Sequence, residues 1–450
     1  MKRRRFIASA AALACTAPAA AQSPREFIVR GAYLLTMDDA LGDLPTGDIH
    51  VRDGAIVAVA PSVQAPQAEA IDGSGLIVLP GIVDTHWHMW NSLLRGLVGG
   101  TPQSGYFPTI QKYGPHYTAE DTYSATRLAL AEGVNAGVTT VHNWAHNMRS
   151  PEHARASLRA HDESGVRARF GYGSAQGTPP DQLQDLADLE RIRSGLPRLV
   201  HLGAALRGPQ MSSLATSRAE FEAARRLGLP ISVHMTGNAE ASERYKVIQT
   251  LDRDGFLGPD VQVIHAVHAT PQDIEALART RAHVSVSPYA EAGTMGVAPL
   301  NAFRKAGVLV SLSIDNTALP ASVDPFGLMR QLIILLQTRD VAPSPFGARQ
   351  ALQMATLDGA RALGLADACG SLTPGKRADL ILIRTGGLNL TAAGDRQIDR
   401  LLMAAQPANV DSVMVDGRFL KRGGKLLLVD AADVALAAQT AARALVARAG

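Results

Sequence analysis

The sequence predicts an α/β fold: a closed (β/α)8 barrel beside a small composite β-sandwich domain made from both chain ends. Three observations predict it. Between about residues 78 and 340, eight short apolar runs alternate with amphipathic stretches. Those stretches open with helix-capping residues and stop at glycines. The flanks on either side break into short β-like pieces joined by turns. A chain of 450 residues is long enough for a large barrel and an accessory unit.

The eight expected strands are Ile77–His88, Val138–His146, Val166–Ala175, Arg198–Leu206, Pro230–Gly237, Val261–Ala269, Ala282–Glu291 and Val308–Asn316. Helices fit between most of them. Thr118-Ala-Glu-Asp121 reads as a capping box ahead of a helix over Thr122–Ala136. Ser217-Arg-Ala-Glu220 reads as the opening of a helix to Leu227, and Thr270-Pro271 puts proline at a first helical position. Gly165, Gly228 and Gly307 fall where helices should stop. Eight alternations favour a ring over an open sheet.

In the flanks, Phe27–Leu35, Asp48–Val51 and Ala55–Val59 are β-like, as are Leu380–Ile383, Val410–Val415 and Gly417–Leu420. The composite β-domain is therefore expected to comprise residues 22–78 and 367–430, with the barrel at 79–366 and a final alanine-rich helix within 431–450.

Residues 1–21 read as a signal peptide. Met1–Ile7 is basic, Ala8–Pro18 is small and apolar, and Ala19-Ala-Ala21 fits a cleavage site that would leave Gln22 first. The Arg-Arg-x-Phe-Ile order looks like a twin-arginine signal, which implies the twin-arginine export machinery as a partner and a periplasmic location. A lipoprotein signal ending at Cys15 is the alternative. Cleavage removes four of 44 basic residues and none of 41 acidic ones, which leaves 40 against 41. No nucleic-acid footprint survives that balance. The mature chain keeps Cys369 alone of two cysteines, so it forms no internal disulfide. The body has no run of 18 apolar residues and hence no expected membrane span. The sequence is compatible with a homo-oligomer.

The chemistry begins at Leu79-Pro-Gly-Ile-Val-Asp-Thr-His-Trp-His88, where an apolar run ends in two histidines spaced i and i+2. Strand alternation points His86 and His88 the same way. Alone, such a pair also fits a solvated or core pair. His234, His265 and Asp315 then fall towards the ends of the fifth, sixth and eighth expected strands. In a (β/α)8 barrel these ends meet at one mouth. Imidazoles with a carboxylate suit one divalent metal, Zn²⁺ foremost and Fe²⁺ second.

These motifs resemble the amidohydrolase superfamily. The resemblance rests on Pro80–His88, Gly137-Val-Thr-Thr-Val141, His234, His265, Ser313-Ile-Asp-Asn316 and Gly370–Asp379, which follow the family's order across nearly the whole mature chain. Within the family the chain looks most like the cytosine, S-adenosylhomocysteine and triazine deaminase or chlorohydrolase branch. The resemblance implies a distorted (β/α)8 TIM barrel with a split β-domain. It implies that His86, His88, His234 and Asp315 bind a metal and that His265 contacts substrate or attacking water. Members with two metals commonly bridge them with a lysine on the fourth strand; Leu199–Leu206 carries none, so one metal is expected. His201 on that strand reads as structural, because it falls early, away from the mouth.

One departure matters. The deaminase branch usually reads His-x-x-Glu on the fifth strand, and here His234-Met-Thr-Gly237 has glycine at the acid's place. Glu291 is the candidate replacement, against a reading as a solvated loop acid; Glu240 is a weaker one. His142, Trp144 and His146 alternate along the second strand and are expected to wall a pocket for a flat substrate, or else to pack under a loop. His268 reads as a core residue or as a support behind the ligands, not as a ligand. Phe107, Tyr113 and His116 lie in a long loop, Leu97–Tyr117, that could lid the mouth. The expected activity is hydrolysis of a non-peptide C–N bond in a small cyclic amide, amidine or aminated heterocycle. Asp315 would act as base, His265 as polarising group and Glu291 as helper. The alternatives are hydrolysis of a lactone or carbon–halogen bond, or a metal-binding protein that has lost catalysis.

Overall fold

A computed structural model of the protein describes residues 26–319, 322–340, 346–391 and 396–450. The expected signal segment, residues 1–21, lies outside the described residues. The N-terminal flank forms β1 (Glu26–Leu34), β2 (Leu44–Arg52), β3 (Ala55–Ala60), β4 (Glu69–Asp72) and β5 (Leu76–Pro80). The barrel strands are β6 (Ile82–Trp87), β7 (Val138–Met148), β8 (Arg167–Ser174), β9 (Val200–Leu206), β10 (Ile231–Met235), β11 (Val261–His265), β12 (His283–Val286) and β13 (Val310–Leu312). The C-terminal flank adds β14 (Leu380–Arg384), β15 (Val410–Val415), β16 (Arg418–Arg422) and β17 (Lys425–Leu426).

The eight barrel strands pair in chain order, all parallel. A Trp87–Asp315 bridge completes the ring. There the Asp315 amide donates to the His86 carbonyl at 2.9 Å, and the His88 amide donates to the Asp315 carbonyl at 2.6 Å. The flank strands form one mixed sheet in the order β17-β16-β15-β14-β5-β1-β2-β3, with β4 beside β1. The expected barrel and composite β-structure are therefore both present.

Several boundaries differ from expectation, each for a local reason. Ile77–His88 is two strands, not one: β5 joins the flank sheet and β6 starts the barrel. The break sits at Gly81, where a Cβ would lie 2.0 Å from Thr139 Oγ1, so only glycine lets the chain cross there. The expected strand over Ala282–Glu291 stops at Val286, and Pro288 opens a helix, Pro288–Thr294, that carries Glu291. The strand expected to Ala269 ends at His265, where the backbone turns left-handed. The helix expected from Ser217 starts earlier, at Leu214, capped by Ser213. The Thr118 capping box and the proline at the start of the helix Pro271–Thr280 form as read, Thr270 closes a further capping box with Asp273, and Gly165, Gly228 and Gly307 are all left-handed. The Leu97–Tyr117 segment is not an open loop; it contains the helix Tyr106–Tyr113.

Two devices join the parts. Arg167 on β8 forms a buried two-point pair with Asp379, at 2.6 and 3.1 Å, beneath the flank sheet. Lys421 on β16 donates at 2.7 Å to the Asn135 carbonyl, at the C-terminal end of the helix Ala119–Ala136. The final helix, Ala431–Ala449, buries Ala438 and Leu445 against Trp90, Leu94 and Ile110. No helix among the described residues is long and apolar enough to cross a membrane.

The barrel interior below the mouth is hydroxyl-rich instead of filled by branched apolar chains. Thr85 Oγ1 lies 2.8 Å from Ser285 Oγ and 2.9 Å from Ser311 Oγ, and Ser313 Oγ bridges Ser285 and Ser287 at 2.9 and 2.7 Å. These buried groups satisfy one another, so they pin strand ends without an unpaired polar atom.

Candidate active site

Five side chains meet at the C-terminal end of the barrel strands. His86 lies at the end of β6 just before Trp87, His88 follows the strand, His234 lies on β10, His265 ends β11, and Asp315 follows β13. His86 Nε2 and His88 Nε2 are 3.1 Å apart. Asp315 Oδ1 is 3.3 Å from the first and 3.4 Å from the second. The His234 ring stacks on that of His88 at 5.2 Å and lies 4.9 Å from that of His86. Candidate ligand atoms of His86, His88 and His234 all lie within 4.8 Å of one another, as do those of His86, His265 and Asp315.

The donors fit a divalent cation. Burial holds His86, His88 and His234 well below the ordinary imidazole pKa, and neighbouring imidazoles add to that, so each ring offers a lone pair. The Nε2 atoms of His86 and His88, 3.1 Å apart, are close enough to share one cation. His88 Nδ1 faces the Trp144 carbonyl at 3.4 Å, which leaves Nε2 as its ligating atom. Burial raises the Asp315 carboxyl above its usual range, opposed by His265 and by the Asn316 amide.

The backbone is held in an uncommon state at this site. His265 has φ 72°, Ala266 49° and Asp315 69°, left-handed values that cost non-glycine residues about 1–3 kcal/mol each. Asp84 holds the Asp315 side of the turn in place. Its buried carboxylate accepts from the Ile314 amide at 2.7 Å and the His86 amide at 3.2 Å, which ties β6 to the residue before Asp315. Burial raises its pKa well above the usual carboxyl value, against those two bonds. The sequence reading missed Asp84. An acid inside the apolar run Ile82-Val-Asp-Thr85 was the available signal.

Other expected residues fall in different places. Glu291 is buried behind His265: its Oε1 lies 3.1 Å from His265 Nδ1 and accepts from the Ser287 amide at 2.6 Å. It reaches the mouth only through that imidazole, and it is no solvated loop acid. Burial pushes the Glu291 carboxyl up. For His265, burial pushes down, but the Glu291 hydrogen bond and the Asp315 and Glu291 charges outweigh it. Glu240 is exposed on the helix Ala239–Tyr245. Trp144 and His146 wall the cavity; their rings lie 4.3 Å from His234 and 4.5 Å from His88 respectively. His142 does not wall it. It sits one layer deeper, between Gln262 Oε1 at 3.1 Å and Ser232 Oγ at 3.5 Å. Its parity was read correctly but its depth was not, because two residues along a strand is about 6.6 Å. His268 bonds the Met295 carbonyl at 2.9 Å, and His201 is exposed at the start of β9.

Above the metal-type donors lies a cavity of about 600 Å³. Phe107 lines it; Tyr113 and His116 do not, and the helix Tyr106–Tyr113 contributes Tyr106 and Ile110 instead. Gly237 lines it with φ 97°, and a Cβ there would come 2.9 Å from that of Ala241.

Comparison with known proteins bears on the family and the fold. The profile described as the amidohydrolase family matches residues 77–420. A 5'-deoxyadenosine deaminase of Methanosarcina mazei is 31% identical over 94% of this chain and 99% of its own length. A 5-methylthioadenosine/S-adenosylhomocysteine deaminase of Pelotomaculum thermopropionicum is 28% identical over 94% and 99%. Among solved structures, an adenosine deaminase from Xanthomonas campestris with bound zinc superposes with a TM-score of 0.84 at 23% identity, covering 94% of this chain and 99% of that one. A zinc complex of atrazine chlorohydrolase from Arthrobacter aurescens gives 0.83 at 21%, covering 92% and 100%. Both likenesses are likenesses of fold.

Proposed function

The chain belongs to the amidohydrolase family, and from that premise we propose that it hydrolyses a non-peptide C–N bond of a small cyclic amide, amidine or aminated heterocycle. One observation carries the proposal: His86, His88, His234, His265 and Asp315 converge beneath a single cavity. In this reading His86, His88, His234 and Asp315 hold one divalent ion, with Zn²⁺ preferred over Fe²⁺. When bound, such an ion makes a water nucleophilic near neutral pH, by lowering its pKa to about 7. Asp315 takes a proton from the attacking water and returns it to the departing nitrogen. As the new C–O bond forms and the C–N bond breaks, protons therefore balance without another acid. His265, oriented by Glu291, hydrogen-bonds the atoms around the attacked carbon. Trp144 and His146 press a flat ring into place.

The aligned relatives named as deaminases support the reading. Gly237 supports a second one, hydrolysis of a carbon–halogen bond or lactone, because a halide needs no proton to leave. A panel of aminated heterocycles, cyclic amides, halogenated rings and lactones, assayed on metal-quantified protein, decides. Ammonia or amine release with about one metal per chain supports the first reading, and halide release alone supports the second. A fully loaded protein that turns over none of the panel sinks both.

Residues 1–21 support a further part of the proposal, export by the twin-arginine route to the periplasm. N-terminal sequencing of the exported protein should begin at Gln22; a mature chain starting at Met1 would refute it.

A further inference from the structure

Attack of water on a ring carbon or carbonyl drives negative charge onto the neighbouring heteroatom, and a donor must meet it. The expected acid is missing, and position 237 resists one, given its left-handed φ of 97°. Among the described residues, Asp315 is the sole carboxylate in the cavity wall. Arg207, the sole guanidinium there, is tied to the Thr178 and Pro179 carbonyls at 3.2 and 2.8 Å and to Glu220 at 3.1 Å.

Tyr106 remains. We propose that its hydroxyl donates the hydrogen bond that steadies the charge growing on the substrate's ring nitrogen or carbonyl oxygen, in place of the acid absent at Gly237. This rests on the C–N hydrolase reading above. Tyr106 begins the helix over the mouth and lines the cavity together with His88 and Asp315. Its oxygen accepts from Asn91 Nδ2 at 3.0 Å. With the Asn91 amide so oriented, its Oδ1 itself without a partner, that bond occupies a lone pair and no acceptor among the described residues takes the O–H proton, which is free to turn into the cavity. Asn91 is fully buried, three residues beyond His88 in the turn Met89–Leu94, so the donor is anchored to the metal-type ligands. Edge-on packing against Phe107, at 5.4 Å and 72°, fixes the ring. Burial and the Asp315 charge hold the phenol well above its usual pKa, so it keeps its proton throughout. Ser174 Oγ, Trp144 Nε1 and Arg207 Nε, on other residues lining the cavity, also lack partners, but none has the tie to the turn after His88. No proton leaves Tyr106: the attacking water supplies the one that departs with the amine.

Tyr106→Phe keeps the ring and deletes the donor. With metal content and melting temperature unchanged, kcat should fall about 10²-fold on weakly activated rings, in line with loss of one oxyanion-type donor. The loss should shrink on strongly electron-poor rings, and KM should move little. Equal turnover by variant and wild type overturns the inference while leaving the hydrolase reading intact. A second measurement needs no turnover. Quinoline and naphthalene differ by one acceptor nitrogen, and their binding can be followed by tryptophan fluorescence on zinc-loaded protein. Wild type should prefer quinoline by about tenfold, the worth of roughly 1.4 kcal/mol, and Tyr106→Phe should erase that preference. A preference kept in the variant, or absent in wild type, overturns the proposal even if no substrate is found.

Discussion

Asp315 carries several demands at one position. Its amide and carbonyl close the ring against His86 and His88, while its carboxylate faces both imidazoles. Asp315→Asn keeps the size but removes the base of the proposed reaction. We expect kcat to fall about 10²–10⁴-fold, the usual weight of a positioned proton acceptor, with the far-ultraviolet circular dichroism unchanged. Full turnover with metal bound would refute the base role. In the proposed reaction Glu291 works at one remove, through His265. Glu291→Ala should lower kcat roughly 10–100-fold, as loss of such orienting partners does, and Glu291→Gln should recover most of it by keeping an acceptor for His265. Equal loss in both variants would make the contact merely structural. The histidines and Asp315 were legible because strand ends with metal-type side chains form a pattern. Asn91 and Tyr106 form none. They meet across fifteen residues of turn and helix, and no periodicity announces that contact.

At the scale of elements, the site depends on β6 and β13 keeping register. β13 is only three residues long, so Asp84 supplies what the short ladder does not. Asp84→Ala should leave two buried amides without an acceptor, at about 1–3 kcal/mol each. A lowered melting temperature with less than one zinc per chain would bear that out. Unchanged zinc occupancy would separate the clamp from the metal site. The alternation of eight strands and helices could be read, but strand ends could not. His265, Ala266 and Asp315 leave the β region because neighbouring strands hold them there, not because of their own preference. Likewise nothing local in Ile77–His88 reveals that Gly81 passes against Thr139 and divides one apolar run between two sheets.

At the scale of the molecule, buried neutral imidazoles make stability depend on pH. His161 accepts from Asn143 at 3.0 Å, and burial pushes its pKa down from 6.5 to about 3. Between those values the unfolded chain binds the extra proton and the folded one does not. Stability from this group is therefore complete above 6.5 and is lost as pH falls towards 3. The slope approaches about 1.4 kcal/mol per pH unit. His161→Gln keeps a neutral acceptor, so its melting temperature should decline less steeply than wild type between pH 6 and 4. Parallel curves would refute the assignment.

The sequence by itself determined the barrel, the composite flank sheet and the set of metal-type donors. Each is written in period, spacing or residue type along a single stretch. Only the tertiary structure decided depth and partnership: His142 below the cavity, Glu291 behind His265, Asp84 bracing the turn and Tyr106 facing the mouth. The reason is physical. Alternation along a strand says which face a side chain takes, but how deep it sits and what it meets depend on tilt, closure and segments hundreds of residues away.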